Sequence, residues 1–186
     1  MKTAVMIPAR LGSKRLLKKN IAEFLGEPMI SYSIKASLNA KLIDDVYVST
    51  ESAEIAEIAS SYGAKVFIRP SELAEDDVPT QKVMQNFLDD HPDVDVLVTI
   101  QANSPNVRPE TIDKAIRLLV THNLWEVRSV NDDGLENGAI WVTTRKAAYW
   151  DGLSVYFGVV RDNSIDIHTI DDLRVAEQVQ LRREMN

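Results

Sequence analysis

Short apolar runs that favour β-strands alternate with helix-patterned segments along this chain of 186 residues. This alternation predicts parallel strands joined by crossover helices, which must cover both faces of one sheet. We therefore predict an α/β fold with three layers and a mostly parallel sheet, in which the most apolar strand, 94–101, lies at the centre. Predicted strands cover 3–8, 45–50, 64–68, 94–101, 126–130, 139–143 and 155–160, and predicted helices cover 28–39, 52–62, 81–89, 109–121 and 170–182.

Composition limits the number of domains and the kinds of partner. A chain of this length with 45% hydrophobic residues buries one core of ordinary size, so we expect a single domain over 1–186. The net charge of −7 disfavours nucleic-acid binding, and the absence of cysteine excludes disulfides and thiolate metal sites. Because no apolar run is long enough for a signal peptide or a bilayer span, we expect a cytoplasmic protein that binds no membrane.

The densest positive charge of the chain directly follows its first predicted strand. The segment PARLGSKRLLKKN, at 8–20, lacks both GxxxxGK[ST] and GxGxxG, which argues against a Walker A site and against a dinucleotide-dependent oxidoreductase. In open parallel sheets, however, ligands bind beyond the carboxyl ends of strands. This placement favours polyphosphate binding over a solvated basic turn. The basic residues of the segment are Arg10, Lys14, Arg15, Lys18 and Lys19.

Six segments carry a resemblance to a known family. In chain order they are IPARLGSKRLLKKN, VYVSTESAEIAEIASSYGA, FIRPSELAEDD, QANSPNVRPETIDKAI, ENGAIWVT and SIDIHTIDDLRVAE. They cover most of the chain and resemble the acylneuraminate (sialic acid) cytidylyltransferases, whose opening signature is close to IPAR-x-GSK-x-x-x-x-KN. The resemblance implies a Rossmann-like nucleotidyltransferase fold and an enzyme that converts CTP and a sialic-acid-like α-keto sugar acid to a CMP-sugar and pyrophosphate. It also implies Mg²⁺ and a homodimer.

The resemblance also implies roles for residues at matching positions. Arg10 and Lys19 would be catalytic, holding the triphosphate and offsetting the charge that develops on the leaving pyrophosphate. The residues implied to bind the nucleotide are Leu11, Gly12, Ser13, Asn20, Arg69 and Thr80. Those implied to bind the sugar acid are Gln101, Asn103 and Ser104, and those implied to hold the metal are Asp166 and His168. From the residues alone, Arg69 could equally close a surface turn and Gln101 could cap the loop after its strand.

The chain departs from the family pattern at three places. His168 stands where the family has a second aspartate, and Ala102 and Asn103 stand where it has proline and threonine. A long segment before ENGAI, which contributes to sugar binding and to the dimer in the family, is reduced to NDDGLE. Three interpretations of the metal site stay open: Asp166 acts with the nucleotide phosphates alone, the site prefers Mn²⁺ or another metal, or catalysis is weak.

These departures keep two alternative functions open. One is a non-catalytic relative that binds nucleotide or sugar, or that serves in an assembly. The other is an enzyme for a different sugar acid, such as KDO or a legionaminic or pseudaminic acid. We also expect Asp171 to cap the last predicted helix, because aspartate is a preferred residue at helix N-termini.

Overall fold

A computed structural model describes residues 1–13, 16–152 and 154–185, so Lys14 and Arg15 of the predicted basic segment lie outside the described residues. The strands are β1 (Thr3–Pro8), β2 (Glu23–Phe24), β3 (Glu27–Pro28), β4 (Asp45–Thr50), β5 (Lys65–Ile68), β6 (Val96–Ile100), β7 (Glu126–Val130), β8 (Glu136–Thr144) and β9 (Phe157–Arg161). The α-helices are α1 (Met29–Asn39), α2 (Ala53–Ser61), α3 (Thr80–Asp90), α4 (Pro109–Thr121), α5 (Arg145–Ala148) and α6 (Ile170–Glu184).

Seven of these strands form one mixed sheet in the order β5-β4-β1-β6-β8-β7-β9. Neighbouring strands from β5 to β6 are parallel, β8 runs antiparallel to β6 and β7, and β9 is parallel to β7. The predicted α/β fold with a mostly parallel sheet is confirmed, and β6 is its central strand as predicted. The chain lays down β4 and β5 on one side of β1 and then returns to place β6 on the other side. The carboxyl ends of β1 and β6 are therefore neighbours at a point where strand order reverses.

Strand β1 is buried on both faces, which fixes it between two cores. Val5 and Ile7 belong to the larger core, while Ala4 and Met6 belong to a second core that includes Phe87 of α3. Side chains alternate between the two faces of a strand, so an uninterrupted apolar run is what a strand covered by helices on both sides requires. All four residues are fully buried.

Several local features differ from the sequence predictions, among them the short helix α5, which was not predicted. The two-residue strands β2 and β3, joined through Leu25 and Gly26 at positive φ, were not predicted because they are too short to show a periodicity. Strand β8 begins at Glu136 rather than at residue 139, so NDDGL forms a hairpin turn. The expectation that Asp171 caps the last helix is wrong: Thr169 and Asp172 form a reciprocal capping box at the start of α6.

None of the described helices is long and apolar enough to cross a membrane.

A third apolar cluster anchors the segment that leads into α6. Ile167 is fully buried there with Phe24, Met29, Leu173 and Ala176. The two neighbours of Ile167 in sequence are exposed. One buried side chain therefore holds a segment whose polar residues face outward.

We expect Ile167→Ala to lower the free energy of unfolding by about 2–5 kcal/mol, because it removes fully buried methyl groups and leaves a cavity. Ile170→Ala is the matched control, since Ile170 is about half exposed and should change stability by less than about 1 kcal/mol. Urea unfolding followed by tryptophan fluorescence measures both variants. Equal losses for the two would contradict the anchoring role of Ile167.

Candidate functional site

A cavity of about 340 Å³ lies at the carboxyl ends of β1 and β6. Its volume is in the range of small-molecule sites in proteins. The sheet topology brings together side chains from widely separated segments, and all but two of the predicted site residues line the cavity. Those that line it are Arg10, Gly12, Ser13, Lys19, Asn20, Arg69, Thr80, Gln101, Asn103, Asp166 and His168.

The structure does not bring the side chains of Leu11 and Ser104 to this cavity. Leu11 packs its side chain against the larger core. Ser104 is fully buried, and its hydroxyl has no hydrogen-bond partner among the described residues. At both positions packing inside the protein explains the residue present. A comparison of sequence motifs cannot distinguish such packing from ligand binding.

Arg10 is already engaged by the segment that follows β5. Its Nη2 atom lies 2.5 Å from Asp76 Oδ1, and its Nη1 atom donates to the carbonyl of Ala74 at 3.0 Å. Asn20 donates from Nδ2 to the carbonyl of Arg10 at 2.9 Å, which holds the two ends of the basic segment together. An incoming anion must therefore replace Asp76 to bind the guanidinium of Arg10 from this side.

Arg69 is a buried cation rather than a surface residue, because only 5% of it is exposed. Its backbone N–H donates to the carbonyl of Thr50 at 3.0 Å, and its Nη2 donates to Glu51 Oε2 at 3.3 Å. Burial lowers the pKa of Arg69, and the Glu51 carboxylate opposes that shift. The Nε atom has no partner among the described residues. Buried donors that lack a partner are rare in folded proteins.

Asn103 ties the loop after β6 to the segment that carries Asp166. Its Nδ2 donates to the Asp166 carboxylate and, at 2.9 Å, to the carbonyl of Ile167. The backbone carbonyl of Asn103 accepts from the backbone N–H of Ile167 at 3.0 Å. Asn103 is almost fully buried. This pairing fixes Asp166 relative to the loop that carries Gln101.

Asp166 and His168 point to the same part of the cavity wall. His168 Nε2 lies 2.8 Å from Asp166 Oδ2, as expected for residues two apart in an extended segment. Among the described residues, no group of three His, Asp or Glu side chains could hold a metal ion. One carboxylate fits an ion such as Mg²⁺, which takes its other ligands from water and substrate phosphates, whereas the imidazole suits softer metals.

Sequence reasoning missed the acidic residues around the two arginines. Glu51 directly follows β4, the neighbour of β1, so its position at a parallel strand end was a usable signal. Glu75 and Asp76 line the cavity, and Gly138 lines it from β8. Their positions depend on how the loops fold back over the sheet, which no local pattern indicates.

Comparisons with known proteins point to one family. The cytidylyltransferase family matches residues 4–134. N-acylneuraminate cytidylyltransferase B of Danio rerio is 32% identical over 221 residues, covering 96% of this chain and 51% of that protein. Pseudaminic acid cytidylyltransferase of Campylobacter jejuni subsp. jejuni serotype O:2 is 47% identical over 90 residues, covering 48% of this chain and 39% of that protein. This chain thus spans about half the length, or less, of these two curated relatives.

Among solved structures, CMP:2-keto-3-deoxy-manno-octonic acid synthetase complexed with CTP is similar over nearly the whole chain. Its TM-score is 0.83 at 14% sequence identity, and the match covers 98% of this chain and 100% of the other. At that identity the likeness shows a shared fold.

We expect Asp76→Asn to tighten the binding of inorganic triphosphate by up to about fivefold, because a partly exposed ion pair of this kind is worth at most about 1 kcal/mol. Asp77→Asn removes the same charge one residue away and serves as the control. Isothermal titration calorimetry measures both variants. Equal tightening would attribute the effect to net charge and contradict direct competition for Arg10.

Proposed function

The chain belongs to the cytidylyltransferase family, and we propose that it transfers CMP from CTP to a sialic-acid-like α-keto sugar acid. The observation that carries the proposal is the cavity at the β1 and β6 ends. There the basic segment with Arg10 and Lys19 faces a polar wall with Asn103 and Asp166. A polyphosphate needs cationic partners, and a hydroxylated acceptor needs groups that donate and accept hydrogen bonds.

In the proposed reaction, the anomeric hydroxyl oxygen of the sugar acid forms a bond to the α-phosphorus of CTP. The bond from that phosphorus to the bridging oxygen of the β-phosphate breaks, pyrophosphate leaves, and the hydroxyl proton passes to solvent. Arg10 and Lys19 hold the triphosphate and offset the charge that builds on the leaving group. Catalysis here is mainly positioning and charge neutralisation.

The two ends of the substrates have different partners in this proposal. Arg69 and Thr80, which both line the cavity, bind the nucleoside end of CTP. Gln101 and Asn103 bind the sugar acid through groups that can donate and accept hydrogen bonds. Asn103 is already committed to Asp166 and Ile167, so Gln101 has more hydrogen-bonding capacity left for the sugar acid.

Asp166 would hold the divalent metal that we include in this proposal, with His168 beside it. When bound, such an ion neutralises phosphate charge and orients the triphosphate. The donor set of one carboxylate and one imidazole is smaller than a protein-only metal site needs, and it fits an ion that arrives with the nucleotide.

A second candidate function is that of a relative that binds nucleotide without transferring it. The observations that favour it are the short turn between β7 and β8 and the imidazole of His168 at the metal position. Binding of CTP would then be retained while pyrophosphate release is lost.

We expect pyrophosphate release from CTP with one member of a panel of α-keto sugar acids, including sialic, legionaminic, pseudaminic and KDO acceptors, in Mg²⁺ or Mn²⁺. Arg10→Ala should lower the rate by about 100-fold, because it removes a charge that stabilises the leaving group. Arg117→Ala, on the exposed surface of α4, is the control and should leave the rate unchanged. CTP binding without release from any acceptor would favour the second candidate, and no CTP binding would contradict both.

We expect His168→Asp to raise Mg²⁺-supported turnover by about tenfold, in the range that changes around a metal bring, because it adds a hard oxygen ligand. His122→Asp makes the same chemical change at the exposed end of α4 and should have no effect. Initial rates across a Mg²⁺ titration compare the two variants. Unchanged or reduced turnover in His168→Asp would contradict a place for His168 at the metal.

A further inference from the structure

A carboxylate lies directly behind a site that the proposed function fills with a triphosphate. Glu51 Oε1 accepts from the backbone N–H of Leu11 at 2.9 Å, and Glu51 Oε2 accepts from Arg69 Nη2 at 3.3 Å. The side chain is mostly buried, with 19% exposed, and it does not line the cavity. It therefore contacts the basic segment, through Leu11, and also Arg69, while it does not itself line the cavity.

We propose that Glu51 is a positioning residue that fixes the phosphate-binding segment relative to Arg69 before the nucleotide arrives. This inference rests on the proposed function, in which the basic segment binds the triphosphate of one CTP molecule and Arg69 binds its nucleoside. Glu51 acts on the nucleotide only through Leu11 and Arg69.

The charge balance explains why an acidic residue is tolerated so close to an anion site. Burial lowers the pKa of Arg69, and the nearby charge of Arg10 lowers it further, while Glu51 raises it. A buried cation needs such a counter-charge. In the part of the chain that the structure describes, Asp76 pairs with Arg10 but not with Arg69. Without Glu51, Arg69 would therefore be a buried cation with no paired carboxylate among the described residues, beside the positive charge of Arg10.

The backbone around Glu51 is held on both sides. Arg69 donates its backbone N–H to the carbonyl of Thr50, and Thr50 Oγ1 accepts from the backbone N–H of Ser52 at 3.1 Å. Ser52 Oγ in turn accepts from the N–H of Ile55 as the N-cap of α2. The end of β4 and the start of α2 thus fix the Cα position of Glu51. A side chain on such a rigid junction can set the separation of its two partners.

The two contacts need two acceptor oxygens, which suggests the variant for the test. Glu51→Gln offers one acceptor to two donors, so it loses either the contact to Leu11 or the contact to Arg69 while keeping shape and volume. Glu57→Gln, on the exposed face of α2, removes the same charge and is the control. Arg69→Gln removes the partner through which Glu51 would act.

The experiment is a double-mutant cycle on CTP affinity, measured by calorimetry with CTP and Mg²⁺ and no acceptor. We expect Glu51→Gln to weaken CTP binding about tenfold, as loss of a charge-assisted hydrogen bond does, and Glu57→Gln to have no effect. In the Arg69→Gln background the same substitution should cost less than about twofold, because coupled residues are not additive. In the rate assay, the KM for CTP should rise while the KM for the sugar acid stays unchanged.

Equal losses in both backgrounds, or a loss matched by Glu57→Gln, would overturn the proposal. The cycle also separates this inference from the proposed function, because it needs CTP binding and no turnover. A wild-type chain that binds CTP with the expected coupling but releases no pyrophosphate would contradict the enzyme and support the role of Glu51. A chain that releases pyrophosphate but shows an additive cycle would contradict only the role of Glu51.

Discussion

The return of the chain from β5, past β4 and β1, to β6 is the constraint on which the site depends. It places the carboxyl ends of β1 and β6 side by side, and in a parallel sheet both loops then emerge at the same edge. The apolar run of β1 is buried on both faces, so this strand cannot move without opening two cores. A rigid sheet thereby holds a basic segment opposite a polar loop, and the chemistry of the site is set by what those two segments carry.

Each arginine of this site is paired with a carboxylate, Arg10 with Asp76 and Arg69 with Glu51. The two pairs differ in how easily a bound anion could replace the carboxylate. Asp76 contacts Arg10 from an exposed position, so an anion can replace it at modest cost. Glu51 contacts Arg69 in a largely buried position, and removing it would leave a buried charge unmatched, which is expensive. We therefore expect Asp76 to exchange with the ligand and Glu51 to remain as part of the scaffold. A site arranged in this way is neutralised when empty and changes partners on binding.

Much of this arrangement could be predicted from the sequence, because the signals are local. The alternation of strands and helices predicts the sheet, and the basic segment after the first strand predicts the edge of the sheet at which the cavity lies. The contacts that require the folded chain could not be predicted in this way. Asp76 contacts Arg10 across 66 positions of sequence, and Ser104 is fully buried although its neighbour Asn103 lines the cavity. Asp171 was the expected helix cap, yet α6 begins at Ile170, so Asp171 lies within the first turn and the extended residue Thr169 is the N-cap, paired with Asp172.

The central claim is that one CTP molecule spans the cavity from the basic segment to Arg69. The most direct test is a crystal structure of the chain grown with CTP and Mg²⁺. Our account predicts the triphosphate against Arg10 and Lys19, the nucleoside against Arg69, the Asp76 carboxylate displaced from Arg10, and the contacts of Glu51 unchanged. A nucleotide bound elsewhere on the chain, or bound at this cavity with the triphosphate away from Arg10, would contradict it.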